Sequence, residues 1–296
     1  MRGMMLLESD DGFITDYNSW YPHLQSDVQK TKFYPFEFVV SASFAVNTLS
    51  ITNGAVTHMS IAQVQELANY GCEIMAHGRT HVGLGTHALL SAVSAGATTI
   101  DVTRRDRIRT NANLVYEIKE GATSENFVVS SRGEPGAPVD GEIILETALT
   151  NSYTTNATVS LTQASMEWEI LGSKTDIESW GIAVMNYVPA FYALNTQSRA
   201  IIEANFDSMC VSATTDVSFP LIDPATINLH NLPRYNLAMS TEDISTLIEL
   251  AYATNKILIL PGHGDHPAKV KHAVEKALET GVRIVTRSQM LHSVGN

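Results

Sequence analysis

Positive charge is scarce in this chain. Nineteen Lys and Arg stand against thirty-one Asp and Glu, for a net charge of −12, and charged residues make up only 17% of the total. So acidic a balance argues against a nucleic-acid backbone or an anionic membrane as the main partner. Cysteine is nearly absent. Cys72 and Cys210 both lie among apolar neighbours and are expected as reduced, buried thiols, not as a disulfide framework. No apolar run approaches the ~18–20 residues that span a bilayer. Only four apolar residues in a row precede the acids Glu8, Asp10 and Asp11, so no export signal is expected. What the chain does have is 44% hydrophobic residues, the share of a packed globular protein, which excludes wholesale disorder. Its 296 residues suit one large domain or two smaller ones of roughly 100–200 residues each.

Three regions differ in texture. In the first, Met4–Leu7 and Phe36–Val40 read as short buried strands. Ser60 opens a helix in which Ile61, Val64, Leu67 and Ala68 share a face, Gly71 closes it, and Cys72–Ala76 runs as a strand into His77. Residues 84–162 are about a quarter Ser and Thr and hold no helical rhythm. They show instead short runs at 98–103, 114–118, 126–130 and 142–145, separated by turn signals such as Glu120-Gly121, Arg132-Gly133-Glu134-Pro135-Gly136 and Asp140-Gly141, which predicts a small all-β unit. From Gln163 onward helices and strands alternate again: helices over 168–177, 196–206, 241–254 and 267–280, strands over 182–188, 256–260 and 282–286. The outer regions together are long enough for one α/β core.

Three stretches that could carry chemistry each follow a predicted strand, the end at which α/β folds place their sites. Glu8-Ser9-Asp10-Asp11-Gly12 sets two carboxylates side by side, which repel unless a cation or proton sits between them; Asp-Gly is also an ordinary turn. His77-Gly78-Arg79-Thr80-His81 spaces two imidazoles so that both can meet one metal, or each can make unrelated hydrogen bonds. Leu260-Pro261-Gly262-His263-Gly264-Asp265-His266 leaves His263 accessible between glycines, or is a turn with solvated histidines, and His266 before Pro267 reads as a helix-entry residue.

Taken in order, these stretches resemble the motifs of the polysaccharide deacetylases, the NodB-like carbohydrate esterases of family 4: Thr-Phe-Asp-Asp-Gly, His-x-x-x-His, an Arg-Pro-Pro-Tyr-like segment and Leu-x-x-His. Here they stand as Glu8–Gly12, His77–His81, Tyr187-Val188-Pro189-Ala190-Phe191 and Leu260–His263. The resemblance implies an α/β fold, a distorted (β/α) barrel built from 1–83 and 163–296, with 84–162 as an inserted small all-β domain. It implies one divalent metal, zinc first and Co, Mn or Ni as alternatives, held by Asp11, His77 and His81. Asp10 is then the general base and His263 the general acid. Tyr187, Pro189, Ala190, Arg234 and Trp20 fall on the substrate side, and Trp20, Tyr21, Trp180, Tyr187 and Tyr192 are candidates to stack on sugar rings.

The chain also departs from that pattern. The third segment lacks the Arg that steadies the base in relatives. Arg234 either supplies that charge from another loop or is an ordinary surface residue. The acid that partners His263 is open among Asp216, Asp223 and Asp265, and Glu8-Ser9 replaces Thr-Phe. The implied activity is removal of acetyl groups, N-acetyl before O-acetyl, from an extracellular or cell-envelope polysaccharide such as a peptidoglycan-like glycan. The alternative is a catalytically degenerate glycan-binding or structural module of a larger surface or phage tail (virion) assembly. His263-Gly264-Asp265-His266 also resembles the His-x-His-x-Asp-His signature of binuclear metallo-β-lactamase-like hydrolases, but Pro261 stands at the first His.

Overall fold

The computed structural model describes residues 3–27, 40–132 and 139–295. The chain divides into two compact units. One comprises Met1–His77, Lys174–Val188 and Phe206–Asn296, the other Gly78–Ser173 and Pro189–Asn205.

The first unit is built on a parallel sheet whose strands are β1 (Met4–Ser9), β2 (Ser43–Val46), β3 (Glu73–Ala76), β4 (Asn186–Tyr187), β5 (Ser208–Thr214), β6 (Leu232–Tyr235), β7 (Ile257–Gly262) and β8 (Arg283–Ile284). Their order is β6-β5-β4-β3-β2-β1-β7, with β8 also pairing β1. Strand β1 runs in register with β7, Leu6 opposite Ile259 and Ser9 opposite Gly262. At the far side Leu237, just past β6, donates its N–H to the Pro261 carbonyl of β7 at 2.9 Å, so the sheet curls almost into a closed barrel. Strands buried on both faces have no polar side to show, which is why Met4–Leu7 and Ile257–Leu260 are unbroken apolar runs.

Helices cover the sheet where the sequence places their caps. Ser60 and Gln63 form a reciprocal capping box at the start of Ile61–Tyr70, which ends at Gly71. Ser240 caps Thr241–Thr254, whose Ile244, Leu247, Ile248 and Ala251 are buried. Pro267–Thr280 starts on Pro267, with His266 as its N-cap residue, and ends at Gly281. None of the helices among the described residues is long and apolar enough to cross a membrane.

The second unit carries a six-stranded antiparallel sheet. The strands Thr99–Val102, Val115–Glu120, Thr123–Ser131 and Gly141–Leu145 stand where the Ser/Thr-rich runs predict them, joined by His87–Ala88 and Thr158–Leu161. Burial alternates along them, so Tyr116, Ile118, Phe127, Val129, Ile143 and Leu145 share a core.

Other expectations meet a different chain. Residues 36–39 and the turn at Gly133–Gly136 lie outside the described residues. The strand expected at 182–188 is only Asn186–Tyr187, the two positions that pair with β5, Tyr187 also pairing with Ala76 of β3. Strand β6, Leu-Pro-Arg-Tyr, escapes the pattern because a proline and an arginine interrupt its apolar signal. Helix Ile14–Ser19 escapes because it has no apolar stripe.

Leu260→Ala, in the fully buried β7, is expected to cost ~2–5 kcal/mol. Leu250→Ala, on the exposed side of the helix Thr241–Thr254, is expected to stay within ~0.5 kcal/mol. Urea unfolding midpoints measure both.

Candidate active site

At the C-terminal end of β1 two neighbouring carboxylates meet opposite surroundings. Successive residues of an extended strand point to opposite sides, and Asp10 turns inward to Arg234 of β6. Arg234 grips it in a fork, Nη1 to Oδ1 at 2.9 Å and Nη2 to Oδ2 at 2.6 Å. Arg234 is fully buried and also donates from Nη1 to Glu8 Oε2 at 3.1 Å. Glu8 in turn is held by Arg287, Nε to Oε1 at 2.9 Å and Nη2 to Oε2 at 2.5 Å, and Arg287 Nη2 also approaches Cys210 Sγ at 2.7 Å. Two guanidiniums and two carboxylates thus close a buried charge-balanced network. Burial works against the Asp10 carboxylate, but the charge and hydrogen bonds of Arg234 outweigh it and hold the carboxyl below its ordinary range. Cys72 and Cys210 are free buried thiols, each pushed up to about 12 by burial.

Asp11 has left-handed backbone, φ 76°, followed by Gly12 at 72°. A non-glycine residue there is strained, a cost found where the chain aims a functional side chain. Its Oδ1 lies 3.0 Å from His77 Nε2, and its Oδ2 lies 3.6 Å from His263 Nε2. His77 directly follows β3, and its Nδ1–H donates to the Val188 carbonyl at 2.7 Å, which fixes the ring and leaves Nε2 toward Asp11. Burial disfavours the imidazolium, yet the hydrogen bond and charge of Asp11, with the charge of Asp10, raise His77 above its usual range.

His263 follows β7 and is about half exposed. Its loop lies against the helix Ile14–Ser19. A Cβ on Gly264 would come within 2.5 Å of Thr15, so only glycine fits, and Ser19 Oγ donates to the Gly264 carbonyl at 3.1 Å. The same helix buries Asp16, whose Oδ2 accepts the Phe13 N–H at 3.0 Å while Oδ1 has no hydrogen-bond partner. Burial lifts the Asp16 carboxyl to about 8.

His81, four residues past His77, belongs to the second unit and also has left-handed backbone, φ 58°. Within that unit Arg109 Nη2 lies 3.2 Å from its Nδ1, and the Phe191 ring lies 4.5 Å from its own ring. Thr80 is anchored by Glu169, which accepts its N–H at 2.8 Å and its hydroxyl at 3.0 Å.

The substrate-side expectations change most. Trp20 is wholly buried, packed against Phe44, and Tyr187 is buried against Phe206, so neither offers a ring to a sugar. Arg234 is no surface residue and faces Asp10. Pro189 and Ala190 are buried, Ala190 opening a single turn through Tyr192. Of the acids considered for His263, Asp216 binds Ser218, Asp223 accepts the Ala225 N–H, and Asp265 lies 3.5 Å from His266. Sequence reasoning missed Arg287 and Asp16. The available signal was charge inside apolar surroundings, since such a group needs a buried partner.

No protein-family model matches the chain, and neither does any curated protein. Solved structures do resemble it. The T48 deacetylase, solved with substrate, matches over 99% of this chain and 92% of its own at 13% identity, with a TM-score of 0.50. A mutant of BA3943, a CE4 family pseudoenzyme with restored enzymatic activity, matches over 98% and 68% at 9% identity, also with a TM-score of 0.50. The fold is that of the CE4 family. The Xyl-CE4 domain of a multidomain xylanase from the hindgut metagenome of Trinervitermes trinervoides matches over 100% and 92% at 13% identity, with a TM-score of 0.49. On this CE4 fold the chain supplies the guanidinium at Asp10 from β6, not from the segment around Tyr187.

Arg234→Met is expected to cost ~3–5 kcal/mol at neutral pH by stranding Asp10 and Glu8. Because the folded pKa of Asp10 is depressed, its contribution is present above the ordinary value of 3.8 and lost as pH falls through the folded value. The stability gap between wild type and Arg234→Met should therefore narrow in acid, read by denaturant titration across pH. Asp16 has the opposite sign: its contribution is complete below 3.8 and disappears as pH rises through about 8. In metal-free protein, Asp16→Asn should match wild type near pH 4 and exceed it in stability near pH 8.

Proposed function

We propose that the chain is a metal-dependent polysaccharide deacetylase, with N-acetyl groups as its first substrates and O-acetyl groups second. The observation that carries this reading is the divided pair at the end of β1. Asp10 is locked to a buried guanidinium, while its neighbour Asp11 faces two imidazoles. An acidic turn with no chemical task needs neither a buried counter-ion nor a strained residue.

Asp11, His77 and His81 hold one divalent ion in this proposal, one ligand atom from each. One carboxylate oxygen and two imidazole nitrogens suit zinc, with Co, Mn or Ni as alternatives, and leave positions open. The Val188 carbonyl on His77 Nδ1 is the kind of support that metal-binding histidines carry. When bound, such an ion polarises an acyl carbonyl and lowers the pKa of water toward ~7.

The remaining steps belong to the chain. Asp10, kept ionised by Arg234, takes a proton from the attacking water. The water oxygen bonds to the acyl carbon, the carbon–nitrogen bond breaks, and His263 delivers a proton to the departing amine. Half exposure lets His263 reach a bulky glycan leaving group. The Ala190 N–H is offered as a donor to the oxyanion, and 84–162 is offered as an inserted β module of the same enzyme.

Asp10→Asn should retain one metal per chain and lose acetate release by ~10²-fold or more, whereas His81→Ala should lose both. Elemental analysis and acetate assays on N-acetylchito-oligosaccharide and O-acetylated xylan check this. Full activity in Asp10→Asn refutes the base assignment, and a metal-loaded wild type inert on every acetylated glycan refutes the reading.

A further inference from the structure

The second unit concentrates positive charge in a chain that has little. Residues 104–109 read Arg-Arg-Asp-Arg-Ile-Arg, and Arg132 joins them, so five of the nineteen cations stand together. Arg104 uses its side chain on Asp106, with bonds of 3.0 and 2.8 Å, and its backbone N–H on Asp140. Arg109 and Arg132 both spend Nη1 on the carbonyls of Asp106 and Ile108, at 2.6 to 3.2 Å. Arg105 and Arg107 make no side-chain hydrogen bond or ion pair among the described residues, and the Arg107 Nε is buried without a partner. Of the five guanidiniums only that of Arg104 is therefore hydrogen-bonded to a carboxylate, that of Asp106; Asp140 accepts only the Arg104 backbone N–H. Burial, and after it a neighbouring arginine, holds Arg107 and Arg109 below the ordinary guanidinium range, and the charge of Asp106, joined at Arg109 by Glu169, offsets this only in part.

An aromatic surface borders the same cluster. The Arg107 and Arg109 guanidiniums lie 5.9 and 5.4 Å from the centre of the Phe191 ring. His81 lies against that ring, and Arg109 reaches its Nδ1. Phe191 and Tyr192 are both in left-handed backbone, φ 56° and 54°, so the turn that presents them is strained. Guanidiniums packed over an aromatic ring form a patch that matches a sugar bearing an anionic group. Neutral glycan needs no such charge, and the net −12 of the chain otherwise repels polyanions.

We propose that Arg107, beside Phe191, and Arg105, on the same helical turn as Arg107, bind the anionic groups of an acidic glycan, so that the deacetylase proposed above acts on acetylated polysaccharide carrying carboxylate or sulfate groups. The inference rests on that enzymatic reading for its biological sense, but its test is binding. The full chain is titrated with fluorescent oligogalacturonate, with a sulfated oligosaccharide of the heparin type, and with neutral N-acetylchito-oligosaccharide of equal length, at about 50 and about 500 mM salt. Expected is at least ~10-fold tighter binding of one anionic probe over the neutral one at low salt, with that advantage lost at high salt; which probe leads assigns carboxylate or sulfate. Arg105→Ser with Arg107→Ser should reduce the affinity for that probe by ~10-fold. Lys269→Ser with Lys271→Ser, an equal loss of charge on the helix Pro267–Thr280, should leave it within ~2-fold. Should the double variant fail to fold, Arg105→Ser alone is read, with a loss of ~3-fold or more expected. Equal binding of neutral and anionic probes, or unchanged affinity in the arginine variants, overturns the proposal. Anion binding without acetate release from any substrate overturns the enzymatic reading and leaves this one standing.

Discussion

A guanidinium shared between two buried carboxylates sets the layout of the first unit. Arg234 reaches Asp10 with both terminal nitrogens and Glu8 with one, and Arg287 closes the other side of Glu8. In a low-dielectric interior none of these four charges is tolerable alone, since removing one partner leaves a buried ion whose desolvation nothing repays. That explains Glu8 at a place where the resembled motif has Thr. With two arginines brought inside, a second carboxylate has to accompany Asp10, and β1 supplies it two residues earlier.

The same network gives adjacent, identical side chains different work. Extended backbone sends Asp10 into the charge network, and a left-handed residue then turns the chain so that Asp11 meets His77 and His263. The strain at Asp11 and the close approach of Gly264 to Thr15 both occur where strands β1 and β7 end, side by side in register. Backbone pairing fixes the spacing of these strand ends, and the loops hold the side chains within it. A rigid sheet with short strained exits is the arrangement that holds reacting groups in place before a substrate arrives.

Local signals in the sequence were readable, and distant partnerships were not. Ser60 and Gly71, or Pro267 and Gly281, bound their helices because caps and breakers act within a few residues. The three short motifs were legible because each stands at the end of a strand with its chemistry condensed into five to seven residues. Arg234 was ambiguous because its meaning depends on Asp10, 224 residues earlier, and no periodicity reports such a pairing. Trp20 and Tyr187 were misjudged for a related reason: an aromatic ring suits a sugar face and a core equally well, and only packing decides. Arg287 opens the helix Arg287–Val294 three residues past β8, so its charge was visible while its partner was not.

The separation between Asp10 and its counter-ion also has a consequence for how the protein is made. During synthesis the carboxylate leaves the ribosome 224 residues ahead of the arginine that neutralises it. At roughly 5–20 residues per second, that interval lasts on the order of 10–45 s. Throughout it, β1 is an apolar segment with an acidic end whose guanidinium partners do not yet exist. The nascent N-terminal third can collapse, but it cannot bury that end at low cost. Completion of the barrel therefore waits for the final third of the chain.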